Sequence, residues 1–143
     1  MQGLFFEDLS IGQSAETMKI VGSADVEAFA AVSGDTNPVH LDEAYAVTTP
    51  FQGRIAHGML SAAYISAVLG TKLPGPGAIY LNQSLRFRRP VKIGDPVVTR
   101  VTVQSLDERR GHATLSTVCQ VDGKTVVDGE AVVMVPRRPK AKE

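Results

Sequence analysis

Residues 57–69 read HGMLSAAYISAVL, and this stretch decides the fold. The pattern predicts a helix that begins near Gly58 and is closed by Gly70. Because its residues are apolar on almost every side, the helix is expected to be covered all round. In a chain of 143 residues, only a sheet wrapped around the helix could provide that cover.

The second half of the chain has the patterns of such a sheet. Apolar and polar residues alternate with a period of two, which is typical of strands with one buried face. Asp122-Gly123 is a strong hairpin signal between the last two strands. The predicted strands are residues 78–87, 97–104, 113–121 and 125–135. One buried helix followed by antiparallel strands predicts an α+β domain, with the sheet curled around the helix.

The first half is predicted to supply a strand at residues 14–21 and a helix that begins at Ser23 and ends at Gly34. Ser23 is the predicted N-cap of this helix. The chain then reads DTNPVH at residues 35–40. Asn before Pro disfavours the α conformation, and Pro fixes its own φ, so this loop is predicted to be stiff and not helical.

A stiff loop with one carboxylate, Asp35, and one imidazole, His40, can direct both groups at one water molecule or substrate atom. General acid and base chemistry near neutral pH needs this arrangement. Taken singly, Asp35 would more simply be a turn residue and His40 a satisfied, partly buried histidine. Together, ahead of a buried helix that starts with glycine, the two residues favour a catalytic interpretation.

Composition excludes several classes of function. Fifteen basic residues balance fifteen acidic residues, so no nucleic-acid-binding surface is indicated. No apolar stretch approaches the roughly twenty residues of a membrane span, and the amino terminus lacks the pattern of a signal peptide. The single cysteine, Cys119, lies in a strand pattern and is interpreted as a core side chain. We therefore expect a cytoplasmic protein with one domain at residues 1–135 and a disordered basic tail at residues 136–143.

The block FAAVSGDTNPVH at residues 29–40, followed by Ala46, resembles the signature of the MaoC-like (R)-specific enoyl-CoA hydratases. GRIAHGML at residues 53–60 and LRFRRPVKIGD at residues 85–95 extend the resemblance over most of the chain. The resemblance implies a hot-dog fold and a hydro-lyase that adds water reversibly to trans-2-enoyl-CoA to give (3R)-3-hydroxyacyl-CoA. It implies no cofactor, no metal ion, and a homodimer or higher homo-oligomer.

In this interpretation the catalytic residues are Asp35, His40 and Gly58. Asp35 and His40 activate the water, and the Gly58 N–H at the start of the apolar helix stabilises the charge on the thioester oxygen. The family often has a serine in this helix, and the position that resembles it is occupied by Ala63. The predicted substrate-binding residues are Asn37, Phe51, Arg54, His57, Met59, Arg86 and Arg88.

Simpler roles exist for several of these residues. Asn37 could only shape its loop, His57 could only fix the chain before Gly58, and the arginines could only solvate an outer face of the sheet. Two alternative functions also stay open at this point. One is an acyl-CoA thioesterase of the same fold, and the other is a module that binds acyl-CoA thioesters without turnover.

Overall fold

Most of the chain folds into a six-stranded antiparallel sheet and one long helix. The structure, a computed structural model, describes residues 2–140. In chain order its elements are β1 (Ser14–Ile20), α1 (Ser23–Ser33), α2 (Pro38–Leu41), α3 (Glu43–Ala46), α4 (Gly58–Thr71), β2 (Ile79–Gln83), β3 (Arg86–Phe87), β4 (Pro96–Asp107), β5 (His112–Val121) and β6 (Lys124–Met134).

The sheet has the strand order β1-β4-β5-β6-β2, and β3 also pairs with β6. Helix α4 packs on the inner face of this sheet, mainly against β4. Ile65 and Val68 of the helix are 0% exposed, and they meet the inward residues of the strands, such as Val101 and Leu115. The predicted α+β architecture, with an antiparallel sheet against a central helix, is confirmed.

The inner faces of β4 and β5 follow the predicted alternation. Val97, Thr99, Val101 and Val103 are all buried on β4, and their neighbours along the strand are more exposed. Asp122 and Gly123 have φ values of +50° and +78°, as expected for the turn of a tight hairpin. Both features are local properties of the sequence, and both are found where they were predicted.

Helix α4, in contrast, is not covered all round. Its residues Ala63, Ser66, Ala67 and Gly70 are exposed, and Met59 is 54% exposed. The expectation of complete cover was therefore wrong for a single chain. The sheet curls over one side of the helix, and the opposite side is left as a surface of small side chains.

The predicted long strand at residues 78–87 is divided into β2 and β3. Between them, the Ser84 N–H donates to the Glu130 carbonyl over 2.9 Å, and β3 keeps the register with β6 that the end of β2 has. A Cβ atom on Gly129 would lie 1.8 Å from the Ser84 carbonyl oxygen, so only glycine allows this close approach. The register shift itself lies within β2, between Tyr80 and Asn82.

The first residues of the predicted tail are held in place. The Arg138 N–H donates to the Glu7 carboxylate over 2.6 Å, and this bond lowers the pKa of Glu7. Arg137 and Arg138 also lie over the rings of Phe6 and Phe5, respectively. Residues 136–138 thus differ from the expectation of a disordered segment, whereas residues 141–143 lie outside the described residues. Among the described residues, no helix has the length and apolar character needed to cross a membrane.

We predict that Ile65→Ala lowers the free energy of unfolding by about 2–5 kcal/mol, because it leaves a cavity between helix and sheet. Ile11→Ala is the matched control, since Ile11 is 70% exposed in a turn. The control should change the free energy by no more than about 0.5 kcal/mol. Urea denaturation of both variants measures the difference, and equal effects would contradict the assignment of Ile65 to the core.

Candidate active site

The end of α1 delivers Asp35. Gly34 ends the helix in the left-handed conformation, with φ at +79°. The Ser33 hydroxyl donates to the Phe29 carbonyl over 2.6 Å and accepts from the Asp35 N–H over 3.1 Å. The Asp35 Oδ1 atom accepts from the Asn37 N–H over 3.3 Å, so Asp35 does form the turn expected of its residue type. Its other carboxylate oxygen is left for other partners.

Residues 38–41 form one turn of helix, α2, where the sequence predicted a stiff non-helical loop. Asn37 caps this turn, since its Oδ1 accepts from the Val39 N–H over 3.1 Å. Pro38 occupies the first helical position, where its missing N–H costs nothing and its φ suits the helix. The same Asn-Pro pair that signals a break in one helix thus starts the next, and it carries His40 on a helical turn.

His40 is 8% exposed and is held in one orientation. Its Nδ1 lies 2.7 Å from the Ile55 carbonyl oxygen. A carbonyl oxygen can only accept, so Nδ1 carries the hydrogen and the neutral ring has its lone pair on Nε2. His40 is therefore a base whose accepting nitrogen is fixed by a backbone contact.

His57 contacts both Asp35 and His40. It is 2% exposed, and its Nε2–H donates to the Asp35 backbone carbonyl over 2.9 Å. Its ring stacks on the His40 ring, with centroids 3.8 Å apart and an interplanar angle of 27°. Within the described part of the chain, the buried Nδ1 atom of His57 has no hydrogen-bond partner. The predicted role of His57 as a residue that fixes the adjacent loop agrees with these contacts.

These three side chains converge. One carboxylate oxygen of Asp35 and one ring nitrogen each of His40 and His57 lie within 4.8 Å of one another. A single water molecule can bridge two groups up to about 5.5 Å apart, so one water could contact all three side chains. The same atoms are in reach of a metal ion, although two of the ring nitrogens already donate to carbonyls.

Helix α4 begins one residue after His57. The Gly58 N–H has no acceptor among the described residues, as expected at a helix start, where the dipole favours negative charge. A Cβ atom on Gly58 would lie 2.6 Å from the Phe87 ring. Because Gly58 has no side chain, the ring of Phe87 on β3 can pack against it. The sequence did not predict this packing role.

A cavity of about 560 Å³ opens beside the start of α4. Its walls are mostly apolar, and Gly58 lies on them together with four predicted substrate-binding residues. Those predicted residues are Phe51, His57, Met59 and Arg88. Residues on the same walls that the sequence did not single out for this cavity are Ser61, Phe87, Arg89 and Val127. Apolar walls with a few polar groups are typical of sites for small molecules.

Three predicted substrate-binding residues do not line this cavity, and neither do Asp35 and His40, which lie next to it through their contact with His57. Asn37 caps α2, and Arg86 lies beside a different groove, on the outer face of the sheet. Arg54 directs its Nε to the His40 carbonyl over 2.6 Å and its Nη1 to the Ser23 hydroxyl over 2.9 Å. Ser23 itself is the first residue of α1 and not its cap, because Gly22 occupies the cap position and donates to Asp25.

Ser61 is the serine of α4 that lies against the cavity, and it is 2% exposed. Ala63 and Ser66 are exposed on the open side of the helix. Cys119 is 0% exposed, and burial raises the pKa of its thiol. A buried thiol that stays protonated is a poor nucleophile, in agreement with the interpretation of Cys119 as a core side chain.

Tyr64 faces a second groove beside α1, together with Lys19 and Asp25. Burial raises the pKa of Tyr64 to about 12. The Ile55 carbonyl, which orients His40, is the contact that sequence inspection could least have found. A backbone group carries no residue-type signal, and the two residues are 15 positions apart.

Comparison with known proteins gives consistent results. The family described as MaoC like domain matches residues 8–127. The chain is 58% identical to an (R)-specific enoyl-CoA hydratase from Rhodospirillum rubrum, over 94% of this chain and 93% of that protein. It is 51% identical to a 3-hydroxybutyryl-CoA dehydratase from Methylorubrum extorquens, over 96% of this chain and 88% of that protein.

Among solved structures, an R-hydratase from Pseudomonas aeruginosa in its unliganded form superposes with a TM-score of 0.91. It is 48% identical to this chain, and the match covers 99% of this chain and 93% of the other. The likeness confirms the hot-dog fold, with its antiparallel sheet around a central helix. Sequence and structure agree that this chain belongs to the MaoC-like domain family.

Proposed function

We propose that this protein is an (R)-specific enoyl-CoA hydratase, which adds water reversibly to trans-2-enoyl-CoA to give (3R)-3-hydroxyacyl-CoA. The observation that carries the proposal is the convergence of a carboxylate and an oriented imidazole within 4.8 Å, beside the start of α4. The hydratase names of relatives that match nearly the full length of the chain support the same reaction.

In the proposed mechanism, a water molecule sits between the free oxygen of Asp35 and the Nε2 atom of His40. As the water oxygen forms its bond to C3 of the substrate, one O–H bond breaks and the proton passes to this pair. The C2 atom gains a proton, which the same pair returns. Negative charge on the thioester oxygen is stabilised by the Gly58 N–H, and the dehydration of the product runs through the same groups.

The coenzyme A portion needs cations for its phosphates. Arg88 and Arg89 lie on the cavity wall and are exposed, and Arg88 also pairs with Asp128 over 2.8 Å. Arg86 lines only the groove on the outer face of the sheet, which Arg88 lines as well. We therefore assign phosphate binding to Arg88 and Arg89 and leave Arg86 out of the site. The acyl chain is assigned to the apolar wall that includes Phe51 and Met59.

A homodimer is the assembly that the surface of the chain favours. β2 ends the sheet, and its residues Ile79, Tyr80 and Leu81 are 51%, 40% and 46% exposed. An apolar edge strand tends to pair with another strand, and a second copy of β2 would satisfy it.

The activity test compares the wild type with Asp35→Asn and His40→Gln. Both substitutions keep the polar contacts to the Asn37 N–H and the Ile55 carbonyl within reach, so the loss reports on proton transfer. We expect hydration of crotonyl-CoA, followed by the loss of enoyl thioester absorbance, to fall at least about a hundredfold in each variant. Chiral analysis of the wild-type product should show the 3R isomer.

Asp122→Asn and His112→Gln are the matched controls, since Asp122 lies in the β5–β6 turn and His112 at the start of β5. They should retain activity within about twofold, because neither residue lies near the site. Butyryl-CoA, which is saturated, should release no thiol. Near wild-type rates in Asp35→Asn or His40→Gln would refute the catalytic assignment, and thiol release would point to a thioesterase.

Arg88→Gln and Arg89→Gln should each raise the KM for crotonyl-CoA about threefold to tenfold, because each removes a charge-assisted hydrogen bond to phosphate. The KM for crotonyl-N-acetylcysteamine, which has no phosphate, should stay the same. Arg86→Gln is the control and should change neither constant. Equal effects on both thioesters would exclude phosphate binding by these two arginines.

The assembly is tested by sedimentation equilibrium, which should give twice the chain mass of 15.3 kDa. Leu81→Lys places a charge on the exposed edge of β2 and should shift the equilibrium toward the monomer. Ile11→Lys, at a residue that is 70% exposed in a turn, should leave the mass unchanged. A monomeric wild type would contradict the proposed dimer.

A further inference from the structure

Arg54 lies in the loop before α4, yet its guanidinium faces the interior of the active-site region. Its Nε donates to the His40 carbonyl over 2.6 Å, and its Nη1 donates to the Ser23 hydroxyl over 2.9 Å. Its third nitrogen, Nη2, is buried and has no partner among the described residues. All three nitrogens are thus turned inward, away from any phosphate on the cavity wall.

The contact to His40 satisfies a carbonyl that α2 cannot satisfy itself. This helix has only four residues, so the last carbonyls have few partners along the chain. The backbone bonds of this turn include one from the His40 N–H to the Asn37 carbonyl, over 3.0 Å, and one from the Asp42 N–H to the Pro38 carbonyl, over 2.8 Å. A helix of one turn is unstable without outside contacts. The guanidinium supplies one such contact at the residue that carries the imidazole.

Ile55, the next residue in the chain, makes two further hydrogen bonds to α2. Ile55 accepts from the His40 Nδ1–H over 2.7 Å, and its own N–H donates to the Val39 carbonyl over 3.3 Å. Arg54 therefore holds the backbone of His40, and Ile55 holds its ring. Arg54 also bonds to Ser23, the first residue of α1, and the other end of that helix leads into Asp35.

We propose that Arg54 is a positioning residue for the hydration reaction, which holds His40 through the Nε–H bond to its carbonyl so that the imidazole faces the water beside Asp35. This inference rests on the proposed function. It assigns to Arg54 an effect on the rate of the chemical step, and no contact with coenzyme A.

Two substitutions separate the hydrogen bond from the charge. In glutamine the amide nitrogen is attached to Cδ, as Nε is in arginine, so Arg54→Gln keeps a donor at the same position and removes the charge. Arg54→Met has a similar length and no donor. Both variants are compared with the wild type on crotonyl-CoA and on crotonyl-N-acetylcysteamine, with circular dichroism as a check of the fold.

We expect Arg54→Met to lower kcat about tenfold or more on both thioesters, with KM changed less than about threefold, because a misplaced base slows the chemical step. Arg54→Gln should stay within about threefold of the wild-type kcat on both, since its donor is retained. If Arg54→Met does not fold, Arg54→Gln decides alone: retained kcat and KM support the inference.

A loss confined to crotonyl-CoA and expressed in KM would show that Arg54 binds phosphate, and would overturn the inference. Wild-type kcat in Arg54→Met, or a loss of kcat in Arg54→Gln as large as in Arg54→Met, would overturn it as well. The proposed function fails separately, if the wild type hydrates neither thioester, and the inference then fails with it.

Discussion

The hydrogen bond from the His40 ring to the Ile55 carbonyl, 2.7 Å long, is the contact on which the site depends. A bond of this kind contributes only about 0.5–1.5 kcal/mol to net stability, a small part of the 5–15 kcal/mol typical of a domain. Its importance is directional. It fixes which ring nitrogen carries the hydrogen, and it ties the short helix α2 to the chain that leads into α4. The His40 imidazole and the start of α4 are thereby held in fixed positions relative to each other.

Asp35 shows how a residue can shape a turn and still present a carboxylate oxygen to the site. Its backbone N–H, its backbone carbonyl and its Oδ1 atom are engaged by Ser33, His57 and Asn37, respectively. One carboxylate oxygen of Asp35 has no hydrogen bond among these. Its position is fixed by the three bonds that hold the rest of the residue. The simple interpretation as a turn residue and the catalytic interpretation therefore do not compete, because the turn is what aims the free oxygen.

The sequence predicted those parts of the fold that depend on local patterns. The alternation in β4 and β5 and the turn at Asp122-Gly123 are set by residues close together in the chain. The prediction of a non-helical loop was wrong at Pro38, because proline can both end one helix and start the next. The prediction for the cover of α4 was wrong as well, since one chain supplies only one sheet.

The roles of the arginines depend on distant partners and could not be read from their spacing. Arg54, Arg86 and Arg88 look equivalent as cations near a predicted site. Arg54 reaches a hydroxyl 31 residues away and a backbone carbonyl 14 residues away, neither of which leaves a mark in the sequence. Arg86 and Arg88 are separated by one residue, yet only Arg88 lies on the cavity wall. Both line the outer groove, and Arg88 differs because it also reaches the cavity.

Phe87 connects the start of α4 to the edge of the sheet. Its ring lies where a Cβ atom of Gly58 would be, so the lack of a side chain at Gly58 serves packing as well as access to the N–H. Phe87 belongs to β3, which pairs with β6, and its side chain is 55% exposed. The start of α4 thus packs against a ring that a strand of two residues carries. The surroundings of the Gly58 N–H therefore depend on the pairing of β3 with β6, and not on α4 alone.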